Sequence, residues 1–244
     1  MEKDVVEAFG LLELERAPVA FKFSLEKPSG LKRLDEKVIA CGMIKKAREV
    51  GPFYSDNDGQ ACIAGRFVLG FGDAPHAFEC GAYGAALKIC KTPKAMQRMY
   101  RSLPMIEKGH ASYVCAAPLD KAEFEPDVVV VTCNTTWKAF NLLRAYSYDS
   151  GKTWKGESTP GLGCAWMFSY PYITGEANVV IPSAGMFNPY NNAIDRDELI
   201  IAIPLEQLYG IVRNLKEMPM VLPAHAPGGD EWKRKLRKEL GIEG

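Results

Sequence analysis

The chain has 244 residues, 47% of them hydrophobic and 25% charged, which is ordinary for a folded globular protein. Thirty basic residues balance thirty acidic ones, which argues against a protein made to coat nucleic acid or a membrane surface. No stretch approaches the eighteen apolar residues of a membrane-spanning helix, and Met1-Glu2-Lys3-Asp4 opens no apolar signal region, so a cytoplasmic protein is expected.

Residues 4–15, with apolar Val5, Val6, Ala8, Phe9, Leu11, Leu12 and Leu14, fit a short amphipathic helix. Pro18-Val-Ala-Phe-Lys-Phe23 then alternates as a strand, with Val19, Phe21 and Phe23 on one face and Lys22 on the other. Residues 36–50 have helical spacing and enclose Cys41, and Cys62-Ile-Ala-Gly-Arg66 follows a turn-rich stretch. Residues 73–109 are read as a mainly helical insertion. Within it Thr92-Pro93 supplies a cap and a first-turn proline for a helix from residue 94.

Pro126-Asp-Val-Val-Val-Val-Thr132 is the continuous β-branched run of a strand covered on both faces, and a helix over 135–146 follows. A strand–loop–helix unit of that kind puts Asn134 where ligands bind in open α/β sheets. Ser147-Tyr-Asp149-Ser-Gly151-Lys-Thr153-Trp154 matches the Asp-box pattern of sialidase-type propellers. It occurs once, with no blade-length repeat, and is read as a hairpin turn. The aromatics Trp166, Phe168, Tyr170 and Tyr172 alternate strictly, as one face of a core strand or a stacking wall for a flat ligand. Residues 199–203 read as a strand, 206–217 as a helix, and 219–244 as a Pro-rich tail ending in a charged helix.

Three short matches recur in the same order along the chain. Pro18-Val-Ala-Phe-Lys-Phe23 echoes Pro126-Asp-Val-Val-Val-Val131, and residues 112–120 echo 198–206. Between these, Cys41 and Cys62, 21 residues apart, echo Cys164 and Ser183, 19 apart. The expected fold is therefore mixed α/β. A single domain of 1–244 is built from two pseudo-repeated halves, 17–125 and 126–215, packed around a central cleft, with the helical insertion in the first. Equivalent loops meeting at the junction would gather Cys41, Cys62, Cys164 and Ser183 in that cleft.

On Ala17-Pro-Val-Ala-Phe-Lys-Phe23, Cys41, Cys62-x-x-Gly65, Ala117-Pro-Leu119, Phe124-Glu-Pro-Asp-Val-Val-Val-Val131, Cys164, Pro171-Tyr-x-Thr-Gly-Glu-x-Asn178 and Asp197-Glu-Leu-x-x-x-Ile-Pro204, the sequence resembles domain-of-unknown-function family 169 over residues 12–215. That family is found in archaea and anaerobic bacteria. The resemblance implies recurring cysteines at the positions of Cys41, Cys62 and Cys164, with a further one common where this chain has Ser183. Members with four would complete a thiolate set; this chain offers three, with Ser183, Met186 or an open position as the fourth.

Thiolates suit soft metals and iron–sulfur clusters, so Cys41, Cys62 and Cys164 are the expected metal ligands and an iron–sulfur cluster the expected cofactor. Lys22, Arg66, Asn134, Ser183 and Met186 are the candidate ligand-binding residues, with a small molecule or an electron-transfer protein as the partner. Two alternatives stand beside this: a cofactor-free small-molecule binding protein, and a cysteine-nucleophile enzyme. The second needs a base, and only His76, His110 and His225 are histidines. Neither a P-loop nor a dinucleotide fingerprint is present.

Overall fold

Among the described residues, six strands form one sheet: β1 (Val19–Ser24), β2 (Phe53–Asp56), β3 (Tyr113–Pro118), β4 (Val128–Cys133), β5 (Asn178–Val180) and β6 (Leu199–Pro204). Their spatial order is β2-β3-β1-β4-β6-β5, and every neighbouring pair is antiparallel. The computed structural model describes residues 3–187 and 193–242. Met1 and Glu2, part of the N-terminus discussed above, and residues 188–192 of the second half lie outside it.

The helices are α1 (Lys3–Gly10), α2 (Met43–Val50), α3 (Ile63–Val68), α4 (His76–Glu79), α5 (Ala82–Ala86), α6 (Pro93–Arg101), α7 (Thr136–Ser147), α8 (Tyr170–Thr174), α9 (Leu205–Glu217) and α10 (Gly229–Leu240). A π-helical turn, Ala165–Ser169, runs directly into α8.

The strand alternation sorts the chain into two apolar layers. On one face of the sheet, Ala20, Val129, Val131, Ile201 and Ile203 pack with Val5 of α1, Leu142 of α7 and Leu208 of α9. On the other, Val19, Phe21, Val128, Val130 and Ile200 pack with Met43 and Ile44 of α2, Phe67 of α3 and Phe168. Cys41 and Cys164 belong to this second layer.

All six residues of β4 are buried, as its valine run demands. That run reports cover on both faces, not strand direction. Because β4 lies between antiparallel neighbours, the ligand-site rule for parallel α/β sheets does not extend to Asn134. Thr92 and Thr135 cap α6 and α7 as their positions require, their hydroxyls accepting from the backbone N–H of Ala95 at 3.2 Å and Lys138 at 3.3 Å.

The aromatic run departs from the strand expectation. Residues 165–169 are buried to the last side chain, and Phe168 meets Phe21 edge-on at 4.7 Å and Phe23 at 6.5 Å between ring centroids. With Trp166 and Phe168 both in the core, these two aromatics are no open stacking wall. The stretch after Ser147 is not a hairpin either: α7 ends there and irregular chain follows to residue 159. Gly151 does take positive φ, 65°, and the Ser147 hydroxyl accepts from the Trp154 indole at 2.7 Å, tying the turn locally. Phe168→Ala is expected to lower stability by about 3–5 kcal/mol, the usual result of emptying a buried ring site. Urea unfolding measures it, and a loss below about 1 kcal/mol would contradict this packing.

The Asp197-Glu198-Leu199 segment has a structural task. Glu198 is buried, accepts from Arg16 at 3.1 Å and from the Asp195 amide at 2.8 Å, while Arg16 also pairs with Asp195. Arg48 donates to the Ala17 carbonyl at 2.8 Å and the Thr132 hydroxyl at 3.1 Å. Together these polar groups pin the entry of β1 beside β4 and β6.

Candidate functional site

Cys41 ends the segment that leads into α2, Cys62 is the N-terminal cap residue of α3, and Cys164 immediately precedes the π-helical turn. These three segments are far apart in sequence, yet all three cysteines line one cavity of about 440 Å³, together with Ser183 and Met186. Of the expected site residues, those five are brought together. The wall between them is apolar, including Ile39, Phe78, Leu87 and Leu162, and none of its twenty lining residues is an Asp, Glu, Lys, Arg or His.

Two glycines explain how the segments approach so closely. A Cβ on Gly65 would stand 2.9 Å from the Ala40 Cβ and 3.3 Å from the Gln60 Oε1, so α3 packs against the Cys41 segment only because position 65 is bare. This gives the Cys62-x-x-Gly65 spacing a mechanical reason. A Cβ on Gly163 would stand 2.8 Å from the Ser183 Oγ and 2.9 Å from the Met186 Cε. Here the Gly163 amide donates to the Ser183 hydroxyl at 3.1 Å, fixing the serine beside the cysteine loop.

The Cys164 loop carries backbone strain. Leu162 has φ 61°, a conformation that a branched side chain adopts at a cost. The π-helical turn that begins at Ala165 is a second irregularity, and such turns concentrate at functional sites. The strand reading of the aromatic run hid the π-helical turn.

Burial dominates the protonation of these thiols. It pushes Cys41 up to about 12, assisted by the charge Cys62 would carry. It raises Cys164 well above the ordinary thiol value, with Cys41 and Cys62 adding to the effect. The mutual influence places the three sulfurs within electrostatic reach of one another. Against burial, the backbone amides of Cys41 and Gly42 pull the Cys41 value down, and those of Cys164 and Ala165 the Cys164 value. Such amides stabilise a thiolate once it forms.

Among the described residues, no three His, Cys, Asp or Glu side chains are drawn together tightly enough to hold one metal ion.

The other expected residues lie elsewhere. Lys22 donates to the Glu125 carbonyl at 3.2 Å and lines a smaller pocket with Cys115 and Glu123. Arg66 spends its guanidinium on the Gln60 carbonyl, at 3.0 and 3.2 Å. Asn134 follows β4 and precedes the α7 cap. None of the three lines the cysteine cavity, and no histidine does. Cys115 and Cys133 are buried in strands β3 and β4 and also stay outside it. Among the described residues, no helix is long and apolar enough to cross a membrane.

The family model for domain-of-unknown-function family 169, described as "Uncharacterised ArCR", matches residues 10–214. No curated protein and no solved structure matches the chain.

Proposed function

We propose that this chain, which belongs to domain-of-unknown-function family 169, is a redox protein that holds an iron–sulfur cluster on Cys41, Cys62 and Cys164. One observation carries the reading: three cysteines from three separate segments face one apolar cavity with no charged side chain among its described lining residues. An apolar shell limits solvent and tunes the potential of such a centre. A cluster suits the set better than a single ion does. Each thiolate would take its own iron, whereas one ion needs ligands gathered at about 2.3 Å from a common point, and no such gathering exists among the described residues. The fourth position would fall to Ser183, fixed by Gly163, or to a small molecule entering the cavity. The proposal sets the protein in a reducing, anaerobic cytosol, where thiols persist.

The same reading treats the fold as two related halves. Exchanging β1 with β4, β3 with β6 and β2 with β5 leaves the strand order unchanged. The central pairing agrees: Val19 faces Val130, Phe21 faces Val128, and Ala20 faces Val129. Equating Val19 with Val128, Ala20 with Val129 and Phe21 with Val130 returns the same three pairs and keeps each residue on its own face of the sheet. This equivalence runs one residue out of step with the Pro18–Pro126 echo, which would swap the faces. Cys41 and Cys164 then occupy matching places ahead of the edge strands, Cys62 and Ser183 matching places after them, and the cavity is the cleft between the halves.

The apolar cavity by itself favours a second reading, a cofactor-free site for an uncharged small molecule. Anaerobic purification with iron and sulfide analysis, followed by reconstitution, separates the two. The cluster reading expects about stoichiometric iron and sulfide with thiolate-to-iron absorption in the visible. Protein that stays colourless after reconstitution leaves only the small-molecule site.

A further inference from the structure

A chain that is neutral overall concentrates positive charge beside this cavity. Between Glu79 and Glu107 there is no acidic residue, but there are Lys88, Lys91, Lys94, Arg98 and Arg101. All five are exposed, and none forms an ion pair with another described residue. Lys94, Arg98 and Arg101 fall at i, i+4 and i+7 on α6, one outward stripe, while Met96 and Met99 of the same helix are buried. The stretch that bears the charge also builds the cavity: Tyr83, Leu87, Ile89 and Met96 line it. Ile89 approaches the Cys164 loop so closely that a Cβ on Gly161 would lie 3.1 Å from its Cγ2. Tyr83 and Leu87, with Ile63 from α3, are large apolar side chains left 45%, 55% and 49% exposed while facing the cavity. Exposed apolar residues at the mouth, flanked by unpaired charge of one sign, have the layout of a transient interface: a small dry centre and a steering rim.

We infer that this surface docks an acidic protein, a one-electron carrier that exchanges electrons with the cluster. The inference rests on the cluster reading for its redox content and on charge alone for the docking. One electron leaves the reduced carrier and reduces the oxidised cluster; no bond forms or breaks. The positive rim would speed encounter with a negatively charged carrier, and the apolar mouth would bring it over the cavity that Cys164 lines.

The test uses the full chain with Lys91→Glu, Lys94→Glu and Arg98→Glu combined, and an acidic ferredoxin as probe. All three positions are exposed, so unchanged circular dichroism and cluster content are expected. At low ionic strength the wild-type protein is expected to bind the ferredoxin and take an electron from it. The triple variant should do so at least about tenfold more slowly, and raised salt should reduce the wild type toward the variant. Equal rates, insensitivity to salt, or capture of a DNA oligonucleotide in place of the ferredoxin would overturn the inference. The metal-free chain is run in parallel for binding alone. Charge-dependent binding by protein that never takes up a cluster keeps the docking surface and rejects the cluster; a cluster without such binding does the reverse.

Discussion

Cys164→Ala is expected to cut bound iron at least about tenfold, while Cys133→Ala leaves it unchanged. The comparison is sharp because the two residues look alike to any account based on packing. Cys164 is 8% exposed and Cys133 is 1% exposed, and burial raises both thiols, Cys133 to about 12. As small core residues, each would cost about 1 kcal/mol on losing its sulfur, a shift of about 2–4 °C in melting temperature for a chain of this size. They lie on opposite faces of the sheet: Cys133 packs with α7 and α9, and Cys164 opens on the cavity shared with Cys41 and Cys62. Removing one of three thiolates takes away a direct bond to the centre, an effect larger than the 10–100-fold typical of losing a supporting residue. Iron analysis and visible absorption after anaerobic reconstitution measure it. Equal iron in both variants would return Cys164 to the core.

The strands were legible where side chains alternate or run apolar without a break. Val19, Phe21 and Phe23 share one face, as their spacing requires, and β4 is buried throughout. Cys41, Cys62, Cys164 and Ser183, which the sequence grouped, all line one cavity. Other features were hidden for physical reasons. Residues 165–169 are buried all round, so no polar stripe marks the helical period, and alternating aromatics then imitate a strand. Strand direction cannot be read from a valine run, because burial on both faces is common to parallel and central antiparallel strands. Arg66 looked available for an anion until the fold turned its guanidinium onto the Gln60 carbonyl, a contact made by the tight turn into α3. The strain at Leu162 has no sequence signal at all, because leucine rarely adopts that conformation.

The affinity of the cysteine set for its proposed cluster is expected to rise at least about a hundredfold per pH unit between about pH 6 and 8. In the metal-free protein Cys41 is held up to about 12 and Cys164 well above its ordinary value, so both are neutral thiols through this range. A metal binds the thiolate, so each of the two must release a proton on loading. The two protons from Cys41 and Cys164 alone give two powers of ten in apparent affinity for each unit of pH, and the sign is fixed: acid empties the site, alkali fills it. Competition for the reconstituted cluster's iron by a chelator of known pH dependence, read by the loss of visible absorption, measures the slope. Cys41→Ser should lower it by one power of ten, since one titrating thiol is gone. A slope near zero in the wild-type protein would mean that neither thiol is a ligand. Among the described residues the cavity wall bears no charge, which suits such a site. A lysine or arginine there would lower the thiol values and leave stray anions in an apolar site whenever the metal was absent. With neutral walls the empty site stays uncharged, and the incoming cation is the only counter-charge the thiolates need.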